Sequence, residues 1–205
     1  MENFSWKKAI LLCLAVGLLA AGLSVFLQVN IVNLRNFITA NAGSAAAFEA
    51  PAKPARLIIP AIDVNAPVES VGLFWNGDGD MSIPSNFTDV AWYNGGPRPG
   101  MPGSAVIDGH LDGRNVKEAV FYNLGNLKPG DAVDVVDQNG RIWQFQVIRV
   151  TAYDYDASTT DIFSSNDSAA RLNLITCAGD WLKGQGLYNK RLVVFTKLVT
   201  PTNST

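Results

Sequence analysis

The sequence predicts an all-β domain, an antiparallel sandwich or barrel, behind an N-terminal apolar segment. Two observations point there, and a third agrees. Short β-branched or aromatic-rich runs recur along residues 55–199, each bounded by Gly, Pro, Asn or Asp. Two of these runs are joined by Asn139-Gly140, a strong hairpin-turn signal. Only residues 116–127 carry a helical pattern, and it is weak.

At the N-terminus, Lys7 and Lys8 stand just before residues 9–27, a 19-residue apolar run whose only interior hydroxyl is Ser24. That length crosses a bilayer as a helix. Only Arg35 follows closely, so the charge asymmetry puts residues 1–8 in the cytoplasm and everything after Leu27 outside. Ala40-Asn41-Ala42 resembles a signal-peptide cleavage site. It lies well past the run, however, and the run exceeds the ~7–15 residues of a signal h-region. An uncleaved anchor is the expectation. Residues 28–54 read as a linker, because "NAGSAAAFEAPAKP" (41–54) is small, Ala-rich and carries two prolines. Residues 55–200 are long enough for one core, and 201–205 form a tail. With 17% charged residues and a net charge of −2, no basic surface is available for nucleic acid.

Within the domain the strand-like runs are "RLIIP" (56–60), "SAVIDGH" (104–110), "DAVDVVD" (131–137), "RIWQFQVIRVTAY" (141–153), "RLNLITC" (171–177) and "RLVVFTKLV" (191–199). Residues 141–150 alternate most clearly. Asn76-Gly77-Asp78-Gly79-Asp80 has the flavour of a calcium loop, but it lacks the twelfth-position acid and flanking helices of an EF-hand. A hairpin turn is expected there, with no metal and no cofactor.

The chemistry centres on Cys177. An exported protein lives where thiols oxidise, and structural cysteines there come in pairs. The only other cysteine, Cys13, lies inside the apolar run. A lone cysteine is often just a small buried hydrophobe, but its neighbours here suggest more. His110, the single histidine, also ends an apolar strand, and imidazole is the usual partner that makes a thiol reactive. If runs 171–177 and 191–199 pair as an antiparallel hairpin, Arg191 starts one strand where Cys177 ends the other. Directly opposed residues have Cβ atoms ~4.5–5.5 Å apart. A permanent cation at that distance can stabilise an oxyanion, whereas Lys190 beside it reads as a solubilising strand-end charge.

Together, "GPRPGMPGSAVIDGHLD" (96–112), "NLITC" (173–177) and "NKRLVVF" (189–195) resemble a sortase, most closely class F. "RLIIPAIDVNAPVESVGL" (56–73) and "GDMSIPSNFTDVAWY" (79–93) extend the resemblance over nearly the whole domain. The family's Thr-Leu-x-Thr-Cys reads here Asn173-Leu174-Ile175-Thr176-Cys177. Asp108 stands before Gly-His where a small apolar residue is expected, and its charge would alter the field at His110. The resemblance implies an eight-stranded β-barrel with one or two short helices and a membrane-anchored cysteine transpeptidase acting on a Leu-Pro-x-Thr-Gly-like sorting signal. On the matching positions, Cys177 is the nucleophile, His110 moves the proton, and Arg191 holds the substrate and oxyanion. Thr176 and Ala178 contact the substrate, and the loops 151–170 and 178–190 wall the groove. The implied partners are sorting-signal proteins, an amine acceptor of the cell wall and the membrane. The implied form is a single-pass monomer with its catalytic domain outside the cell.

Two rivals have different marks. An L,D-transpeptidase shows Ser-x-Gly-Cys-x-x-Arg, whereas Cys177 is followed by Ala178-Gly179-Asp180. Many Cys–His endopeptidases place cysteine before histidine, the reverse of the order here. A non-catalytic, membrane-tethered binding barrel would carry an inert thiol.

Overall fold

The computed structural model describes residues 28, 50–74, 79–165 and 167–199. The chain divides into the units Met1–Glu49 and Ala50–Thr205, and every described residue but Gln28 belongs to the second. The apolar run 9–27 lies outside the described residues. Among them, no helix is long and apolar enough to cross a membrane.

Eight strands make the second unit: β1 (Pro54–Ile59), β2 (Val64–Val71), β3 (Val90–Tyr93), β4 (Gly103–Asp108), β5 (Ala132–Asp137), β6 (Ile142–Asp154), β7 (Ala170–Leu182) and β8 (Leu187–Leu198). They close a barrel in the order β1-β2-β3-β4-β7-β8-β6-β5, which leaves no unpaired edge between neighbouring strands. Most pairs are antiparallel, as the sequence suggests. The exceptions are β2–β3 and β4–β7, which run parallel.

Period-2 alternation decides which side chains fill the barrel. Ile107 on β4, Phe145 on β6, Leu172 and Leu174 on β7 and Val194 on β8 point inward and are buried. The outward faces of β4 and β8 meet a second, smaller cluster of Val106, Val193 and Phe195. The one-turn helix α1 (Thr160–Phe163) covers it with Ile162, and the buried Asn173 side chain donates to the Ile162 carbonyl at 2.6 Å.

The β5–β6 hairpin forms at Asn139-Gly140, with Gly140 at φ 79. Leu73 pairs with Met81 across the acidic glycine loop, so its flanks are a hairpin; residues 75–78 lie outside the described ones. Elsewhere the structure departs from the sequence reading. β2 contains Pro67 and β3 has only four residues, so neither shows the pattern of a strand. The segment 116–127 is a chain of turns with one 3₁₀ turn, Leu124–Asn126. Its last turns are held by bonds to the residue three back, including Leu124 N–H to the Phe121 carbonyl. Three residues per turn stack Phe121, Leu124 and Leu127 into one apolar plug, which the sequence renders as helical spacing. Residues 178–190 are an extension of β7 and β8 as far as the Leu182–Leu187 pair, not a loop.

Candidate active site

The β4 end and the β7–β8 arm come together around one cavity of about 800 Å³. Its lining includes His110, Asp112, Cys177, Trp181 and Tyr188, with Ile83 and Phe87 opposite.

Local structure places His110 through three bonds. Gly109 N–H continues the parallel ladder to the Ile175 carbonyl at 3.1 Å, and the Gly109 carbonyl accepts from the Thr176 hydroxyl at 2.7 Å. Phe121 N–H then donates to the His110 carbonyl at 2.9 Å. Glycine is required at 109 because a Cβ there would overlap the Phe121 ring. The imidazole leans on Phe87 with ring centroids 5.0 Å apart, and Nε2 meets the Pro84 carbonyl at 3.1 Å. A carbonyl only accepts, so Nε2 carries the proton of that bond and Nδ1 is the nitrogen left to exchange one.

Leu172 and Leu174 turn inward, so Thr176 does too, and Cys177 faces outward beside the cavity. Thr176 is buried at 1% exposure with its hydroxyl committed to Gly109. It ties the strand of Cys177 to the segment of His110, and this bond is what the structure shows of the residue expected to contact substrate. Ala178 pairs with Lys190 and does not line the cavity. Immediately beyond it the register shifts between Ala178 and Trp181. Gly179 takes φ 78 there, and Asp180 N–H bonds Asn189 Oδ1 at 2.8 Å. Past this bulge Trp181 and Tyr188 pair and stack edge-on at 5.2 Å, and both line the cavity. The wall expected from residues 178–190 is therefore a two-stranded arm. None of the described residues among 151–170 lines the cavity; β6 continues to Asp154, and α1 packs on the outer cluster instead.

Cys177 is directly paired with Arg191, the register expected from the strand ends. Arg191 Nη1 donates to the Tyr188 carbonyl at 3.2 Å and the Lys190 carbonyl at 3.0 Å. Its other N–H groups make no hydrogen bond among the described residues. Lys190 instead pairs with Asp154 at 3.0 Å.

Burial pushes the Cys177 thiol above its ordinary value; Arg191 pulls it down, while Asp108 and Asp112 push it further up. Asp112 and Tyr188 were not singled out by sequence. The Tyr188 hydroxyl donates to Asp112, bridging the segment after β4 to the arm. That bond, with burial, lifts the phenol to about 12.

A half-buried sulfur, an imidazole with one free nitrogen and a neighbouring guanidinium supply a nucleophile, a proton carrier and an anion-stabilising cation. The Sortase domain family matches residues 57–199, and the chain belongs to that family of cysteine transpeptidases. Its fold is shared by solved sortase structures, among them these three. Sortase C-1 from Actinomyces oris (formerly Actinomyces naeslundii) is 24% identical, with a TM-score of 0.55 over 71% of this chain and 73% of that one. Sortase A from Corynebacterium diphtheriae is 21% identical, with a TM-score of 0.56 over 77% and 65%. Streptococcus agalactiae sortase C1, in complex with MTSET, is 22% identical, with a TM-score of 0.55 over 73% and 69%. No curated protein matches the sequence significantly.

Proposed function

We propose that this domain is the catalytic part of a membrane-anchored, class F-like sortase. It acts as a monomer on a Leu-Pro-x-Thr-Gly-like sorting signal, outside the cell and tethered by residues 9–27. The Cys177 thiolate adds to the Thr carbonyl carbon, and the displaced electron pair rests on an oxyanion facing Arg191. Collapse breaks the Thr–Gly bond, and the leaving amine takes its proton from His110, leaving a thioester on Cys177. An acceptor amine of the cell wall then attacks the thioester, gives a proton to His110 and expels the thiolate.

The observation that carries this reading is the shared position of Cys177 and His110 on one cavity, with Arg191 paired to Cys177. Exposed Ile83, Phe87 and Trp181 at the same cavity suit an apolar leucine-proline segment.

The test incubates the full chain with a sorting-signal peptide library and an amine, read by mass spectrometry. Wild type should join peptide to amine, while Cys177→Ala should form no product with an unchanged circular dichroism spectrum. Substantial turnover by Cys177→Ala would remove the thioester route.

A further inference from the structure

Asp108 is a charge that this reaction does not use. It ends β4 on the barrel's outer face, opposite Ala91 on β3 and Ile175 on β7. Two residues along β7 on that same face is Cys177, and across from Cys177 is Arg191 on β8. Adjacent strands lie ~4.8 Å apart. Asp108 and Arg191 thus lie on one outer face, two strands apart, with Cys177 on the strand between them, and the Arg191 charge acts on both the carboxyl and the thiol.

Asp108 feels Arg191 and acts on Cys177. Burial pushes its carboxyl from 3.8 up to about 7 against the opposing pull of Arg191 and then of Gly109 N–H. Its charge in turn raises the Cys177 thiol. The other titratable groups on the elements packed around it are Tyr93 on β3, Arg171 and Asp180 on β7, Asp161 on α1, and His110 and Asp112 on the segment after β4. Asp112 adds to the negative field at the sulfur. Lys190, the other cation at this end of β8, is engaged by Asp154.

We propose that Asp108 is a positioning residue that governs the sulfur through Arg191. While charged, it occupies the field of the guanidinium and opposes the thiolate; once protonated, it leaves Arg191 to the sulfur and the oxyanion. The inference rests on Cys177 being the nucleophile. It makes the active site an acid-side device, in which each thiolate is easier to form below the Asp108 transition than above it.

Alkylation of the full chain by iodoacetamide tests this without any peptide substrate. Product is counted on the tryptic peptide carrying Cys177, which leaves Cys13 out. The Asp108→Asn and wild-type rates should be nearly equal at about pH 5.5, where both carry a neutral side chain. By about pH 8, Asp108→Asn should react at least about threefold faster, because the thiolate no longer faces a carboxylate. Asp108→Glu should restore the wild-type pH dependence. A rate ratio that stays constant with pH would overturn the proposal, since a purely structural role shifts all pH values alike. If Asp108→Asn does not fold, Asp108→Ser takes its place with the same two outcomes. Cys177→Ala separates the two readings. If that variant still joins peptide to amine, the nucleophile assignment fails and the proposal fails with it. If it is dead and the ratio is flat, only the Asp108 inference falls.

Discussion

β4 ends in Asp108 and β5 in Asp137, and the barrel treats these two aspartates in opposite ways. Asp137 is 4% exposed, yet its carboxylate accepts from Trp143 Nε1 at 3.0 Å and from the backbone N–H groups of Arg141 at 3.0 Å, Asn139 at 2.9 Å and Ala52 at 3.2 Å. Burial alone would raise its pKa, but these four donors outweigh it and the net shift is downward. Asp108 has no comparable set of donors, and its carboxyl is held up at about 7. The sign follows from the balance between burial and the donors aimed at the anion. One aspartate is a permanent anion that staples the N-terminal entry and the β5–β6 turn. The other titrates near neutrality beside the sulfur.

The strongest way to break the contrast is Asp137→Ala. It strands the Trp143 Nε1 and three backbone donors, and hydrogen bonds to charged groups are worth ~1.5–3 kcal/mol each. A loss of at least about 3 kcal/mol, seen as a melting temperature lower by about 10 °C, is expected with the cavity chemistry intact in the folded fraction. A melting temperature within error of wild type would demote the staple.

Arg191→Lys comes next and sharpens the other half, because Arg191 is the cation that opposes the rise at Asp108 and Cys177. Lysine keeps the charge but loses the planar two-donor fork. At least about a tenfold fall in kcat/KM is expected, and more for Arg191→Ala, from the ~10²–10³ that one oxyanion donor contributes elsewhere. Lys190→Ala, which breaks only the exposed pair with Asp154, should be almost neutral. Equal damage from both substitutions would place the cation role wrongly.

The smallest effect reads the two signs directly. Asp137 has a depressed folded-state pKa, so its contribution to stability is present above the unfolded value near 3.8 and fades as pH falls. Asp108 has a raised pKa, so the folded state loses stability as pH climbs from about 4 through about 7. Asp108→Asn should thus melt a few degrees above wild type at about pH 8, and show no gain at about pH 4. A gain of the same size at both values would mean that the carboxyl does not titrate in that window.

Much of this was legible in the sequence where local pattern and tertiary contact agree. Asn139-Gly140 specified its hairpin, and the ends of the last two strands gave the Cys177–Arg191 register. The inward turn of Thr176 was also available, since Leu172 and Leu174 set the parity of β7. What failed was local pattern overruled by context. Pro67 hid β2, and the polar, glycine-containing stretch 178–190 concealed an arm held by the Trp181–Tyr188 and Leu182–Leu187 pairs. The Asp112–Tyr188 bridge joins residues 76 apart, which no local window spans. Asp108 stood out as a departure from the sortase pattern, but only the barrel reveals that it feels Arg191 and acts on Cys177.

The bond from Thr176 to Gly109 spans 67 positions of chain, and the parallel β4–β7 ladder that surrounds it is just as long-range. Loops of that size must close before their contacts return any stability, which places such barrels among the slow folders, on the scale of milliseconds to seconds. No hairpin or fragment can bring Cys177 and His110 to one cavity by itself. Catalytic competence should therefore appear all at once on refolding, with the final closure of the barrel, which makes turnover a reporter of complete topology.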